Sequence, residues 1–184
     1  LTNGLVLPDG VTTIGDRAFY NCSGINLVLI LPVGLKSIGE SAFYGCNHLS
    51  GDLTIPDSVT SMGAHAFDGC YSFNGSLHLS SGLTSISDFA FNGCRNLSGT
   101  LTLPSGLTAI GKSAFAGCNG LSGTLNIPDT VTSIDICAFS GGNSTNGFTG
   151  EVNIPNGVTT IPDAAFNYCS NISSVTLPST VTSL

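Results

Sequence analysis

Apolar residues recur along this chain in fixed columns, with polar residues filling the positions between them. Phenylalanine stands at 19, 43, 67, 91, 115, 139 and 166, so five successive steps span 24 residues each and the sixth spans 27. Five residues before each Phe comes Ile14, Ile38, Met62, Ile86, Ile110, Ile134 or Ile161, and three residues earlier again comes Val11, Leu35, Val59, Leu83, Leu107, Val131 or Val158. Alanine precedes the Phe every time. No column holds a charge, so together they read as a core. Self-similarity with a period of roughly 20 to 50 residues marks a stacked-repeat architecture, in which each coil buries its apolar side only against its neighbours. The repeats begin near 1, 25, 49, 73, 97, 121, 148 and 172, giving one solenoid domain over 1–184 with about 7.5 coils of 23–27 residues. The array starts and stops part-way through a repeat, which reads as a piece of a longer protein.

One coil, 97–118, predicts the local elements. Thr100-Leu101-Thr102-Leu103 alternates polar and apolar residues, the pattern of a strand with one buried face. Pro104 ends it because proline has no N–H for a ladder. Ser105–Gly106 forms a turn, and Leu107–Ile110 is extended again as a second short strand. Residues 112–117 read as one short helical turn and a half, closed by Gly117. The equivalents Asn21, Gly45, Gly69, Gly93 and Gly141 suit a left-handed cap, with Tyr168 the exception. Asp16, Glu40, Asp88 and Asp163 fall near the starts of these segments, where a carboxylate complements a helix dipole. The expected fold class is therefore α/β: a solenoid with a parallel sheet and short helical turns.

Three departures interrupt the period. The last repeat is one residue short, and the extra residue elsewhere is often glycine (Gly51, Gly75, Gly99, Gly123, Gly150), as suits a bulge or corner. Residues 140–147 (SGGNSTNG) are lengthened, and Gly142 replaces a cysteine of the repeat. Ile25–Leu31 is apolar even at Val28 and Ile30, where the strand should face outward.

Composition narrows the function. Charged residues make up 8% of the chain, against about 25% in ordinary soluble domains. The net charge is −7, and Arg17, Lys36, Arg95 and Lys112 are scattered, so no phosphate-binding patch for nucleic acid forms. No run of apolar residues is long enough to insert in a bilayer. Cys22, Cys46, Cys70, Cys94, Cys118 and Cys169 share one repeat position, three residues after Phe, while Cys137 stands outside it. Stacked side chains point the same way, which fits the near-perpendicular torsion of a disulfide poorly. The column reads as free buried thiols acting as small hydrophobes.

The unit LP-x-x-V-T-S-I-G-x-x-A-F-x-x-C-x-x-L resembles the BspA-like class of leucine-rich repeat, and its A-F-x-x-C signature occurs at 18–22, 42–46, 66–70, 90–94, 114–118 and 165–169. The resemblance implies a leucine-rich-repeat solenoid with its parallel sheet on the concave side. It also implies a bacterial cell-surface or secreted protein whose partners are proteins or glycans, including host extracellular-matrix or cell-surface molecules. The asparagine ladder of other leucine-rich repeats has no counterpart after Leu103 or Leu177. The cysteine column stands in its place.

No catalytic or metal-binding constellation emerges. His48, His65 and His78 occupy different repeat positions, and no H-E-x-x-H, G-x-S-x-G or phosphate loop is present. The chain is therefore read as a non-enzyme without cofactor or metal. What remains is the outward side of the strands: Asp52 and Thr54, Ser76 and His78, Thr100 and Thr102, Thr124 and Asn126, Glu151 and Asn153 form the candidate ligand-binding face. Val6, Val28 and Ile30 form a candidate apolar interface patch on the same side. Tyr20 and Tyr44, one period apart, are placed to stack. The expected function is recognition or adhesion through this face; the alternative is a structural spacer presenting another domain.

Overall fold

The computed structural model describes residues 4–141 and 147–184. Residues 142–146, which include Gly142 and most of the lengthened stretch at 140–147, lie outside the described residues. Successive coils contribute two extended pieces each: β1 (Gly4–Val6) and β2 (Thr13–Ile14), β3 (Val28–Ile30) and β4 (Ser37–Ile38), β5 (Leu53–Thr54) and β6 (Ser61–Met62), β7 (Leu77–His78) and β8 (Ser85–Ile86). There follow β9 (Gly99–Thr102) and β10 (Ala109–Ile110), β11 (Leu121–Asn126) and β12 (Ser133–Ile134), then β13 (Phe148–Asn153) and β14 (Ile172–Thr176), the first pieces of two further coils whose second pieces meet in a single bridge between Thr160 and Ser183.

These pieces build two parallel ladders along the stack. The first pieces pair as β1 with β3, β5 with β7 and β9 through β11 and β13 to β14, and single bridges from Val28 to Ser50 and from Ser76 to Ser98 join these segments into the long sheet; Leu53 pairs with Leu77 and Thr54 with His78. The second pieces pair as Ile14, Ile38 and Met62, then as Ile86, Ile110 and Ile134. Between Met62 and Ser87 a side chain takes over: Ser87 Oγ donates to Met62 O, where Gly63 uses its backbone N–H on Ile38 O. Four of the five glycines predicted as corners before the long strands are left-handed, with φ of 81°, 78°, 78° and 76° at Gly51, Gly99, Gly123 and Gly150, whereas Gly75 is not. The register shift against β14 falls between Gly150 and Glu151, beside the shortened last repeat.

The third side of each coil corrects the sequence reading. No helix forms among the described residues, and 112–117 and its equivalents are chains of tight turns. Amides there alternate between two kinds of partner. Those of Arg17, Phe19 and Asn21 donate to Glu40 O, Ala42 O and Tyr44 O of the next coil at 2.8, 2.8 and 2.7 Å. Those of Ala18, Tyr20 and Cys22 donate back to Gly15 O, Arg17 O and Phe19 O. A helix would have kept these amides within its own coil, whereas here every second one bonds to the next coil and ties this side of the stack together as well. The alternation requires left-handed residues at two points per coil. One is the predicted cap, at Asn21, Gly45, Gly69, Gly93 and Gly117; Tyr168 joins them at φ 58°, and Gly141 does not. The other lies two residues before Phe, where Arg17, Ser41, His65, Phe89, Ser113, Cys137 and Ala164 all have φ between 51° and 57°. With no helix there is no dipole for a carboxylate to complement. Asp16 and Asp88 instead accept the backbone N–H of Glu40 and Lys112 in the next coil, at 2.8 and 2.9 Å.

Inside, the Phe column is a continuous stack. Ring centroids are 5.0 to 5.8 Å apart from Phe19 to Phe166, with planes within 9° of parallel. Phe43, Phe67, Phe91, Phe115 and Phe139 are buried, whereas Phe19 and Phe166 are half-buried. The cysteines are free, and Cys46, Cys70, Cys94 and Cys118 are buried. They do more than fill space. Each thiol donates to the carbonyl of the Phe one coil back: Cys46 to Phe19, Cys70 to Phe43, Cys94 to Phe67 and Cys118 to Phe91, at 2.8 to 3.1 Å. Cys169 reaches Phe139 O in the same way, at 3.1 Å. Burial pushes the Cys46 thiol up to about 11 and that of Cys118 to about 12.

Two outcomes follow from this core. Phe91→Ala should lower stability by about 3–5 kcal/mol, the usual cost of emptying a buried aromatic site, and Phe19→Ala, where the ring is only half-buried, by clearly less; urea denaturation followed by far-UV circular dichroism measures both. A thiol whose pKa is raised by folding stabilises the fold fully below its ordinary value of 9.0 and loses that contribution as pH rises toward about 11 for Cys46 and about 12 for Cys118. The urea midpoint should therefore fall as pH rises above 9, and Cys46→Ala and Cys118→Ala should flatten that fall.

Candidate interaction face

The period-two alternation of the long strands sends one residue inward and the next outward. Leu53, Leu77, Leu101, Leu125 and Val152 are buried, while Thr54, His78, Thr102, Asn126 and Asn153 beside them are exposed. One pleat further back, Asp52, Thr100, Thr124 and Glu151 are also exposed, and Ser76 is half-buried where its strand end bridges Ser98. The predicted face is thus a single surface.

Several of its polar groups are held in place from the neighbouring coil. Asp52 Oδ1 accepts the backbone N–H of Ser76 at 2.7 Å. Asp57 Oδ1 accepts that of Ser81 at 2.9 Å, and this bond holds the exposed Asp57 carboxyl below its usual range. Glu151 Oε1 accepts the hydroxyl of Thr176 at 2.6 Å. In each case this oxygen is engaged while the side chain stays exposed.

The face is not flat. Three adjoining hollows of about 620, 560 and 230 Å³ run across it between the strands and the turns that follow the prolines. The first brings together Thr54, His78, Asp57 and Val33; the second Ser76, His78, Thr100 and Thr102; the third Thr100, Thr102 and Asn126. Asp52, Thr124, Glu151 and Asn153 lie outside these hollows, on the same exposed face. The wall formed by Val33, Asp57, Ser81 and Ser105 escaped the sequence reading. Its signal was available, because each of these residues directly follows the proline or, at Ser81, the serine that replaces it.

Val6, Val28 and Ile30 are 49%, 40% and 49% exposed, and Val33 beyond them is 83% exposed. They sit in register, since Val6 pairs with Ile30 and Gly4 with Val28. The three histidines do not converge, and among the described residues no group of three metal-binding side chains occurs. His65 lies on the turn side, stacked 4.6 Å from Phe89 and 2.8 Å from Asp68. Tyr20 and Tyr44 stack there too, 4.9 Å apart.

The repeat signature described as BspA type Leucine rich repeat region matches in six copies, over residues 1–122 and 84–184. The chain belongs to this BspA-type family. Among solved structures, a leucine-rich repeat protein from Bacteroides ovatus is similar at 25% identity with a TM-score of 0.69, over 96% of this chain and 50% of that one. The leucine-rich repeat protein TpLRR of T. pallidum is similar at 26% identity and a TM-score of 0.62, over 98% and 72%. A leucine-rich repeat protein from Eubacterium ventriosum shares the fold, with a TM-score of 0.73 at 21% identity, over 99% and 46%. The chain therefore spans about half the length of two of these relatives. No curated protein matches it. Within this BspA-type array, the A-F-x-x-C signature now has a physical content: the Phe carries the ring stack and, through its carbonyl, accepts the thiol of the next coil.

Proposed function

We propose that this array is a non-catalytic recognition module, which binds a macromolecule across the outward face of its long sheet, in a protein displayed at the cell surface or secreted. The observation that carries this reading is the row of hollows from Leu31 to Pro128, in which polar side chains of four successive strands line one continuous groove. Membership of a repeat family built for binding or scaffolding supports it. Repeat solenoids expose extended surfaces that suit contact with a macromolecule more than enclosure of a small substrate. No converging nucleophile, base and oxyanion donor is found in the groove, whose titratable groups are His78 and Asp57. The second reading, a spacer that presents another domain, draws on the unbroken ring stack that runs from Phe19 to Phe166.

The test is a binding screen of the protein against immobilised extracellular-matrix proteins and a neutral and acidic glycan array. Replacing Thr100, Thr102, Thr124 and Asn126 with Lys should weaken any binding found by tenfold or more while leaving the circular dichroism spectrum unchanged. Full retention of binding by that variant would transfer the function to another surface or to the spacer role.

A further inference from the structure

The chemistry of the groove restricts its partner further, and this inference rests on the recognition reading above. Charge is divided unevenly around the coil. Asp9, Asp52, Asp57, Asp129 and Glu151 all stand exposed on the long-sheet face or the turns that follow its strands, whereas Arg17, Lys36, Arg95 and Lys112 all lie elsewhere. The face thus holds five of the chain's eleven carboxylates and none of its four Lys and Arg side chains. Two of these carboxylates, Asp52 and Asp57, are fixed by backbone N–H bonds from the next coil. They are pre-positioned, so a cation meeting them does not have to order them first.

The same face is apolar at one end. Val6, Val28, Ile30 and Val33 leave a patch of aliphatic side chains in water. Val33 and Asp57 line a single hollow, so the aliphatic and acidic parts adjoin. A polysaccharide makes poor use of this arrangement. Sugar rings pack best on flat aromatic side chains, and no Phe or Tyr lines the three hollows. A second copy of this chain also fits badly, because a self-complementary contact through this face would oppose like charges in a net −7 protein. A polypeptide carrying both aliphatic and basic side chains satisfies both parts.

We infer that the partner of the long-sheet face is a basic segment of another protein, with aliphatic side chains seated on Val28, Ile30 and Val33 and Lys or Arg side chains facing Asp52 and Asp57. Contact is made by outward side chains, so the segment lies across the strands without adding to the sheet edge. Opposite charges across such a contact chiefly raise the association rate and the selectivity, with an effect that weakens as salt rises.

The probe is an array of immobilised 12-residue peptides of random sequence, screened with the 1–184 chain at two salt concentrations. Binders should be enriched in Lys and Arg together with Val, Ile and Leu, and should weaken at least threefold between 50 and 300 mM salt. Ile30→Ser with Val33→Ser, and separately Asp52→Asn with Asp57→Asn, should each weaken the best peptide by about tenfold or more. Asp135→Asn with Asp163→Asn, which removes the same charge elsewhere, should leave it unchanged. Ile30, Val33, Asp52 and Asp57 lie on the face and Asp135 and Asp163 do not, and unaltered circular dichroism verifies folding of each variant. Neutral or acidic peptides as the only binders, or glycans bound in the screen above and lost in its Lys variant, would overturn the basic-segment inference while leaving the recognition reading intact. Equal loss in the Asp135/Asp163 variant would overturn it as well, by showing attraction to net charge alone. Concentration-dependent dimerisation abolished by Ile30→Ser would assign the patch to a second copy instead. Peptide binders indifferent to every substitution on this face would overturn both readings.

Discussion

The rise from one coil to the next governs this protein. Parallel strands require a separation close to 4.8 Å, and everything stacked beside them must accept nearly the same interval. Flat rings do so: the Phe column keeps its planes parallel at 5.0 to 5.8 Å. Thiols do so by reaching back to a carbonyl, and carboxylates by accepting an amide one coil ahead. The interval also explains why the turn side abandons helix. A helix is wider than one strand spacing, so a column of helices could not follow a sheet at this rise without splaying, whereas tight turns with amides shared between coils can.

Much of the fold was legible from residue positions alone. The columns of Phe, Ile and Ala located the core, and the Thr-Leu-Thr-Leu alternation placed the long strands with the right face outward. The helical reading of 112–117 failed for an identifiable reason. The left-handed residue two before Phe is Arg, Ser, His, Phe, Ser, Cys or Ala, types that carry no local sign of that conformation and that ordinarily resist it. Only the stack imposes it, through bonds to a coil 24 residues away. The same limit hid the groove wall. The strand residues were found by periodicity, but that turns after the prolines would rise beside them to form hollows depends on the path of the chain between strands.

A division of labour results. Inward and inter-coil positions are nearly invariant within the chain because each must match its copy in the neighbours. Outward positions are released from that demand: one site in six coils is aliphatic at Val28, a carboxylate at Asp52 and Glu151, and a hydroxyl at Ser76, Thr100 and Thr124. Variation concentrated on one face of an otherwise uniform array is what recognition requires, and a BspA-type repeat supplies it without disturbing the core.

The thiol column has a chemical consequence of its own. Disulfide exchange and oxidation to sulfenic acid both proceed through thiolate, and burial keeps Cys46, Cys70, Cys94 and Cys118 protonated well beyond neutral pH. Their neighbours in the column are therefore held close without becoming reactive toward one another. The S–H groups thus tie neighbouring coils through hydrogen bonds to carbonyls, with no covalent cross-link of the kind that staples disulfide-rich modules.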